Sequence, residues 1–275
     1  MSVSAEGFLE TIISPWELIE KRMKYIIEGV DDFADLFKTN NLILNLSKIE
    51  QTTGLTNLLV TISCLFSIVV LFFIRTKKPA LFIRKFIMMF FYSVLSIGTL
   101  TGFFVHAFTL AHDAYNGLWS VLYGLLIFAA GIRFYQAFID IGYITGFISL
   151  PFIIITGYID LIACWYFDMF ICIGVYVILF GVILCLTHFG LTITRGVHYL
   201  AYIVSDLVVV ASMVVQANDF KIGNWDKNSF FHLGVAIYVL FNTVALIIVT
   251  LCERNKEENN GYKKLDDKES KEKDD

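Results

Sequence analysis

The chain has 275 residues, 57% of them hydrophobic and 17% charged, and a formal net charge of −4; its mean hydropathy is +0.70. That apolar share lies above the range of soluble globular domains, and without a basic excess nothing here suits a nucleic-acid backbone. The net charge averages a mixed N-terminus, a basic connection and a highly charged C-terminal segment.

Residues 1–54 lack the basic start and unbroken apolar run of a secretory signal peptide. Apolar residues recur at helical spacing from Leu9 to Phe37, opposite a face carrying Glu17, Glu20, Lys21, Arg22, Lys24, Asp31, Asp32 and Asp35. Ser14-Pro15-Trp16-Glu17 reads as the start of that helix, with Ser14 as cap, Pro15 in the first turn and Glu17 completing a capping box. The spacing predicts an N-terminal amphipathic helix that lies in the membrane interface or packs across the mouth of a bundle. Asn45-Leu46-Ser47 is a glycosylation sequon.

From Leu55 onward seven apolar stretches follow: Leu55–Ile74, Phe86–Leu110, Leu118–Phe138, Ile144–Ala163, Phe170–Leu186, Val197–Val215 and Phe231–Leu251. A hydrocarbon core about 30 Å thick takes roughly 20 helical residues, so each is long enough to cross. The expected fold is all-α, an integral membrane bundle of seven transmembrane helices over residues 55–252, with membrane lipids as its surroundings. Residues 253–275 have the composition of a disordered charged tail, within which Tyr262-Lys263-Lys264-Leu265 is similar to a tyrosine-based sorting signal.

Loop charges set the expected orientation. Arg75, Lys77, Lys78, Arg84 and Lys85 lie between the first two spans without an acid, and Arg195 lies on the same side. The positive-inside rule then places the N-terminus outside or in a lumen and the C-terminus in the cytoplasm. Cys64, Cys164, Cys172, Cys185 and Cys252 form no CxxC or framework spacing and read as small packing residues.

Ionisable residues inside a span need a partner, water or a function. His106 and His112 end the second span beside Asp113, and His232 opens the seventh, with Asn228 one turn ahead of it. On a continuous helix His106 and Asp113, seven residues apart, share a face. Imidazole with carboxylate suits zinc, so His106, His232 and Asp113 or His112 are candidate metal or ligand contacts. The alternative is interfacial polar residues bonded to one another and to water. Deeper lie Arg133 and Gln136, Asp160, and Asp206, with Asp140 at the inner edge; Arg133 and Asp206 are expected to form an intramembrane ion pair. His188 and His198, flanking Arg195 in an inner loop, read as solvated or headgroup-facing.

The run Gly102-Phe103-Phe104-Val105-His106, with Asn228-Ser229-Phe230-Phe231-His232, resembles the CREST superfamily of seven-span proteins, which includes the alkaline ceramidases and adiponectin-receptor-like proteins. The resemblance implies a zinc-dependent hydrolase of a lipid amide or ester, with metal-activated water as nucleophile. Gly102 stands where the family pattern has a serine, and Ala236 where it has the second histidine of a HxxxH pair. That incomplete set is similar to an uncharacterised branch keeping one histidine there.

No GxxxxGK[ST], GxGxxG, GxSxG, DRY-like triplet, NPxxY or retinal-binding lysine occurs at its proper place. Two functions follow from the residues: a non-catalytic seven-span protein with a polar ligand-binding cluster, or a metal-dependent membrane hydrolase.

Overall fold

The computed structural model describes residues 15–39, 42–76, 79–166 and 169–274, with side chains over 16–39, 42–76, 79–165 and 181–255. Ser14 and Cys172 fall outside these side chains, as does the segment around Tyr262. The helices are α1 (Pro15–Lys38), α2 (Lys48–Phe73), α3 (Pro79–Ala107), α4 (His112–Ile141), α5 (Tyr143–Tyr166), α6 (Met169–Arg195), α7 (Leu200–Gln216) and α8 (Lys227–Asp274). Two short ladders sit at one end of the bundle: β1 (Ile43–Leu44) with β2 (Phe108–Thr109), and β3 (Lys221–Ile222) with β4 (Trp225–Asp226).

Among the described residues six helices are long and apolar enough to cross a membrane: Lys48–Phe73, Pro79–Ala107, His112–Ile141, Tyr143–Trp165, Val197–Gln216 and Lys227–Asn255. In α6, the part with described side chains, Gly181–Arg195, is a shorter apolar helix. The outer surface is correspondingly greasy. Ile144, Phe147 and Ile148 of α5 are exposed, as are Phe72 and Phe73 of α2. A water-soluble protein does not expose so continuous an apolar surface, and these helices fit a multi-pass membrane protein.

Each helix from α2 to α8 packs on the next, and α8 returns against α2, which closes the ring. One buried core joins α2, α3, α7 and α8 around Val60, Met88, Tyr92, Tyr202, Val239 and Leu246. A second joins α4, α5 and α6 around Phe134, Ile153, Cys164 and Leu184. In lipid the hydrophobic effect does not hold helices together, so close packing and interhelical hydrogen bonds take its place. The Tyr92 hydroxyl of α3 donates to the Val239 carbonyl of α8 (3.2 Å) and accepts from Thr243 (2.9 Å).

Helix α1 lies against α4, crossing where two glycines meet. A Cβ on Gly29 would stand 2.9 Å from the Gly117 Cα, and a Cβ on Gly117 equally close to Gly29. Only Gly at both positions permits that approach. α1 buries Leu18 and exposes Trp16, Ile27 and Phe37.

Three expectations are corrected. The second span was expected to continue to Leu110, but α3 ends at Ala107 and β2 intervenes, so His106 and Asp113 belong to different helices. Arg84 and Lys85, read as loop cations, lie in the second turn of α3. The backbone of α8 stays helical to Asp274, through a segment whose composition suggests disorder. A helix already nucleated in the bundle propagates readily through Lys- and Glu-rich sequence.

Candidate functional site

The ladders assemble the first part of the site. Ile43 pairs with Thr109 and Leu44 with Phe108, tying the chain before α2 to the end of α3. Asn45 follows directly, its N–H donating to the Ala107 carbonyl (2.8 Å) and its side-chain oxygen accepting from the Ser47 N–H (3.0 Å). The sequon asparagine is therefore part of the turn that starts α2. Ser47 caps that helix, accepting from the Glu50 N–H at 3.3 Å. The Glu50 side chain then reaches across to α3, where its Oε2 lies 2.7 Å from His106 Nδ1.

The second ladder presents α8. Its two-residue turn puts Gly223 at φ +60, a left-handed conformation that glycine adopts without strain. Asp226 then caps α8: its Oδ1 accepts from the Ser229 N–H and hydroxyl (both 2.8 Å) and from Thr53 of α2 (3.0 Å). Partial burial raises the Asp226 pKa, but the hydrogen bonds from Ser229 and Thr53 outweigh it and hold the carboxyl below its ordinary value. One turn later His232 sets its Nδ1 3.4 Å from the Thr56 hydroxyl. The His106 and His232 rings are 6.3 Å apart, and Trp119 of α4 meets His106 edge-on at 5.3 Å.

Of the other candidates, Asn228 lines the same cavity as His106 and His232, whereas His112 and Asp113 stand apart. His112 and Asp113 pair with each other (2.9 Å) in the first turn of α4, exposed beside Asn116. Asn228 donates to Asp226 (3.3 Å) and accepts from Gln216 (3.4 Å). Gly102 faces Asn57, whose amide oxygen would lie 2.8 Å from any Cβ there. The residues do not fit zinc: among the described residues no three His, Cys, Asp or Glu side chains converge on a metal position. Ala236 is buried core.

Below the histidines lies a cavity of about 180 Å³. His106, Trp119, Gln216, Asn228 and His232 line its outer part, and Arg133 with Tyr238 its inner part. Between them runs an apolar belt from α3, α4, α7 and α8, including Leu95, Leu122, Leu126, Met213 and Val235. Trp119 and Arg133, both on α4, are separated by roughly 21 Å at 1.5 Å per residue.

Beneath the cavity a polar network crosses the bundle. Arg133 donates from Nε to the Tyr238 hydroxyl (3.1 Å), from Nη1 to Gln136 (3.2 Å), and from Nη2 to Asn242 (3.3 Å) and Asp206 (3.4 Å). The structure thus brings Arg133 and Asp206 together, both buried. Asp206 is held more tightly from its other side, where Oδ2 lies 2.5 Å from His188 Nδ1. Gln136 continues to Asp140 (3.4 Å), Asp140 to Arg84 (2.5 Å), and Arg84 to Tyr199 (3.2 Å) and Glu253 (3.0 Å).

His188, read as solvated or headgroup-facing, is fully buried. It lies within α6, which continues to Arg195, whereas hydropathy alone closes the span at Leu186. Glu253, read as the first residue of the tail, bonds to Arg84 and Tyr199 inside the bundle. Sequence reasoning also missed Glu50. Its place three residues after Ser47 has the spacing of a capping box, but nothing local points to His106, 56 positions away.

Compared with models of protein families, with curated proteins and with solved structures, the chain matches none.

Proposed function

We propose that this chain is a seven-span membrane protein, N-terminus outside or luminal, whose cavity binds a small apolar ligand without transforming it. The observation that carries the reading is the cavity itself: an apolar belt with a few polar groups at its two ends, the make-up of a ligand site. α6, with 27 residues, supplies the seventh crossing. Arg75, Lys85 and Arg195 gather at the end opposite the histidines, which favours that end as cytoplasmic. α1, with Trp16, Ile27 and Phe37 uncovered, suits an interfacial helix. A metal-dependent hydrolysis is disfavoured because His106 and His232 each have a neighbour of their own, Glu50 and Thr56, and among the described residues no three His, Cys, Asp or Glu side chains are placed to hold a metal.

The test is calorimetric titration of the protein in phosphatidylcholine nanodiscs with decanol, against empty discs. We expect saturable binding at one per chain, abolished by Ala130→Phe, since Ala130 lines the cavity and the larger ring fills the belt. Binding that survives Ala130→Phe, or no binding at all, overturns the reading. Equimolar zinc in purified protein, lost in His106→Ala, overturns it in favour of the hydrolase.

A further inference from the structure

We infer that Arg133 makes this cavity selective for an organic anion, an apolar body ending in a single carboxylate or sulfonate. The inference rests on the ligand-binding reading above and adds the ligand's charge and orientation.

Arg133 is only 2% exposed, yet it contributes to the inner wall of the cavity. Among the described residues it is the one Lys, Arg, Asp or Glu lining that space. A guanidinium in low dielectric needs a counter-charge held closely, and charge-assisted N–H···O⁻ bonds normally span about 2.7–2.9 Å. Asp206 stands at 3.4 Å and turns its other oxygen to His188 at 2.5 Å. The remaining acceptors of Arg133, on Tyr238, Gln136 and Asn242, are neutral. A guanidinium has five N–H groups, and the four hydrogen bonds leave one Nη1 proton without an acceptor among the described residues. The inner wall is therefore a positive group with a loose counter-ion and a spare donor.

An anion arriving through the apolar belt supplies what Arg133 lacks. Its oxygens accept from Nη1 and compete with Asp206, which His188 retains. The apolar body then lies along Leu126, Leu122 and Val235, toward Trp119. A cationic ligand finds no acidic side chain on this wall among the described residues. No bond is made or broken; the step is an exchange of ion-pair partners.

The experiment uses the full chain in phosphatidylcholine nanodiscs, titrated in parallel with decanesulfonate and with decanol, empty discs giving the partitioning baseline. The sulfonate is chosen because its charge does not change with pH. Wild type is expected to bind decanesulfonate at least tenfold more tightly than decanol. In Arg133→Gln the two probes bind with equal affinity, and an unchanged far-ultraviolet circular-dichroism spectrum shows that the variant is folded. Asp206→Asn frees Arg133 of its competitor and raises decanesulfonate affinity several-fold, leaving decanol unchanged. Equal affinity for the two probes in wild type, or an unchanged preference in Arg133→Gln, overturns this inference and leaves the cavity reading intact. Failure of both probes to bind removes the cavity reading, and this inference with it.

Discussion

At the scale of single residues, the polar side chains in and around this bundle are legible as exceptions, whereas their partners are not. Arg133 and Asp206 announce themselves because a charge inside an apolar run needs compensation, and the structure brings the two together. Arg84 gives no such signal, being one cation in a basic stretch, yet it is buried between Asp140 and Glu253. Removing one partner of a buried pair strands the other, which costs about 3–5 kcal/mol. Arg84→Met is accordingly expected to lower the unfolding midpoint sharply in a denaturing-detergent titration, and Arg84→Met with Asp140→Leu to recover part of the loss. If the double variant is no more stable than the single one, the pairing is not what holds this end. Asp226 is a second case. Its carboxyl ionises more readily in the folded chain than in the unfolded one, so its contribution is present above the ordinary carboxylate range and fades as pH falls through its lowered value. As the cap of α8 it is worth about 1 kcal/mol. Asp226→Ala should therefore melt lower than wild type at pH 7, with the gap narrowing on acidification; a gap that widens refutes this assignment.

At the scale of elements, apolar periodicity located the helices well and their ends poorly. The expected start of the second span, Phe86, falls seven residues after the true start at Pro79, because α3 carries Arg84 and Lys85 inside its second turn. Hydropathy treats such charges as the membrane boundary, while the helix continues because Arg84 has acids to meet. At the other end β2 interrupts what reads as one apolar run. That short ladder moves Asp113 onto α4 and leaves His106 to Glu50. Contacts between elements were invisible from local pattern. Gly29 and Gly117 are 88 positions apart, and nothing in either neighbourhood indicates that they touch. Gly117→Val is expected to lift α1 from α4 while leaving the bundle folded. Faster tryptic cleavage at Lys21, Arg22 and Lys24, with an unchanged melting profile, is the outcome that bears this out; unchanged cleavage means that α1 is held elsewhere.

At the scale of the molecule, closure of α8 onto α2 turns a row of helices into a ring enclosing a cavity. The proposed orientation, N-terminus outside, predicts that trypsin added to sealed, right-side-out vesicles spares a C-terminal epitope tag after Asp275 and removes it only on permeabilisation; loss of the tag in sealed vesicles reverses the orientation. By itself the sequence determined that the chain is helical, apolar and built of repeated membrane-length segments. Hydropathy is a sum over neighbours along the chain, so chain order is enough to read it. It also determined where charge enters that apolar matrix, at Arg133, Asp206 and the histidines flanking the bundle. Only the tertiary structure decided who faces whom: Glu50 rather than Asp113 at His106, His188 rather than solvent at Asp206, and Glu253 drawn back to Arg84. Those pairings join residues 18 to 169 positions apart. They depend on helix rotation and on two short ladders, geometry set by packing among all the helices at once and carried by no local stretch of sequence.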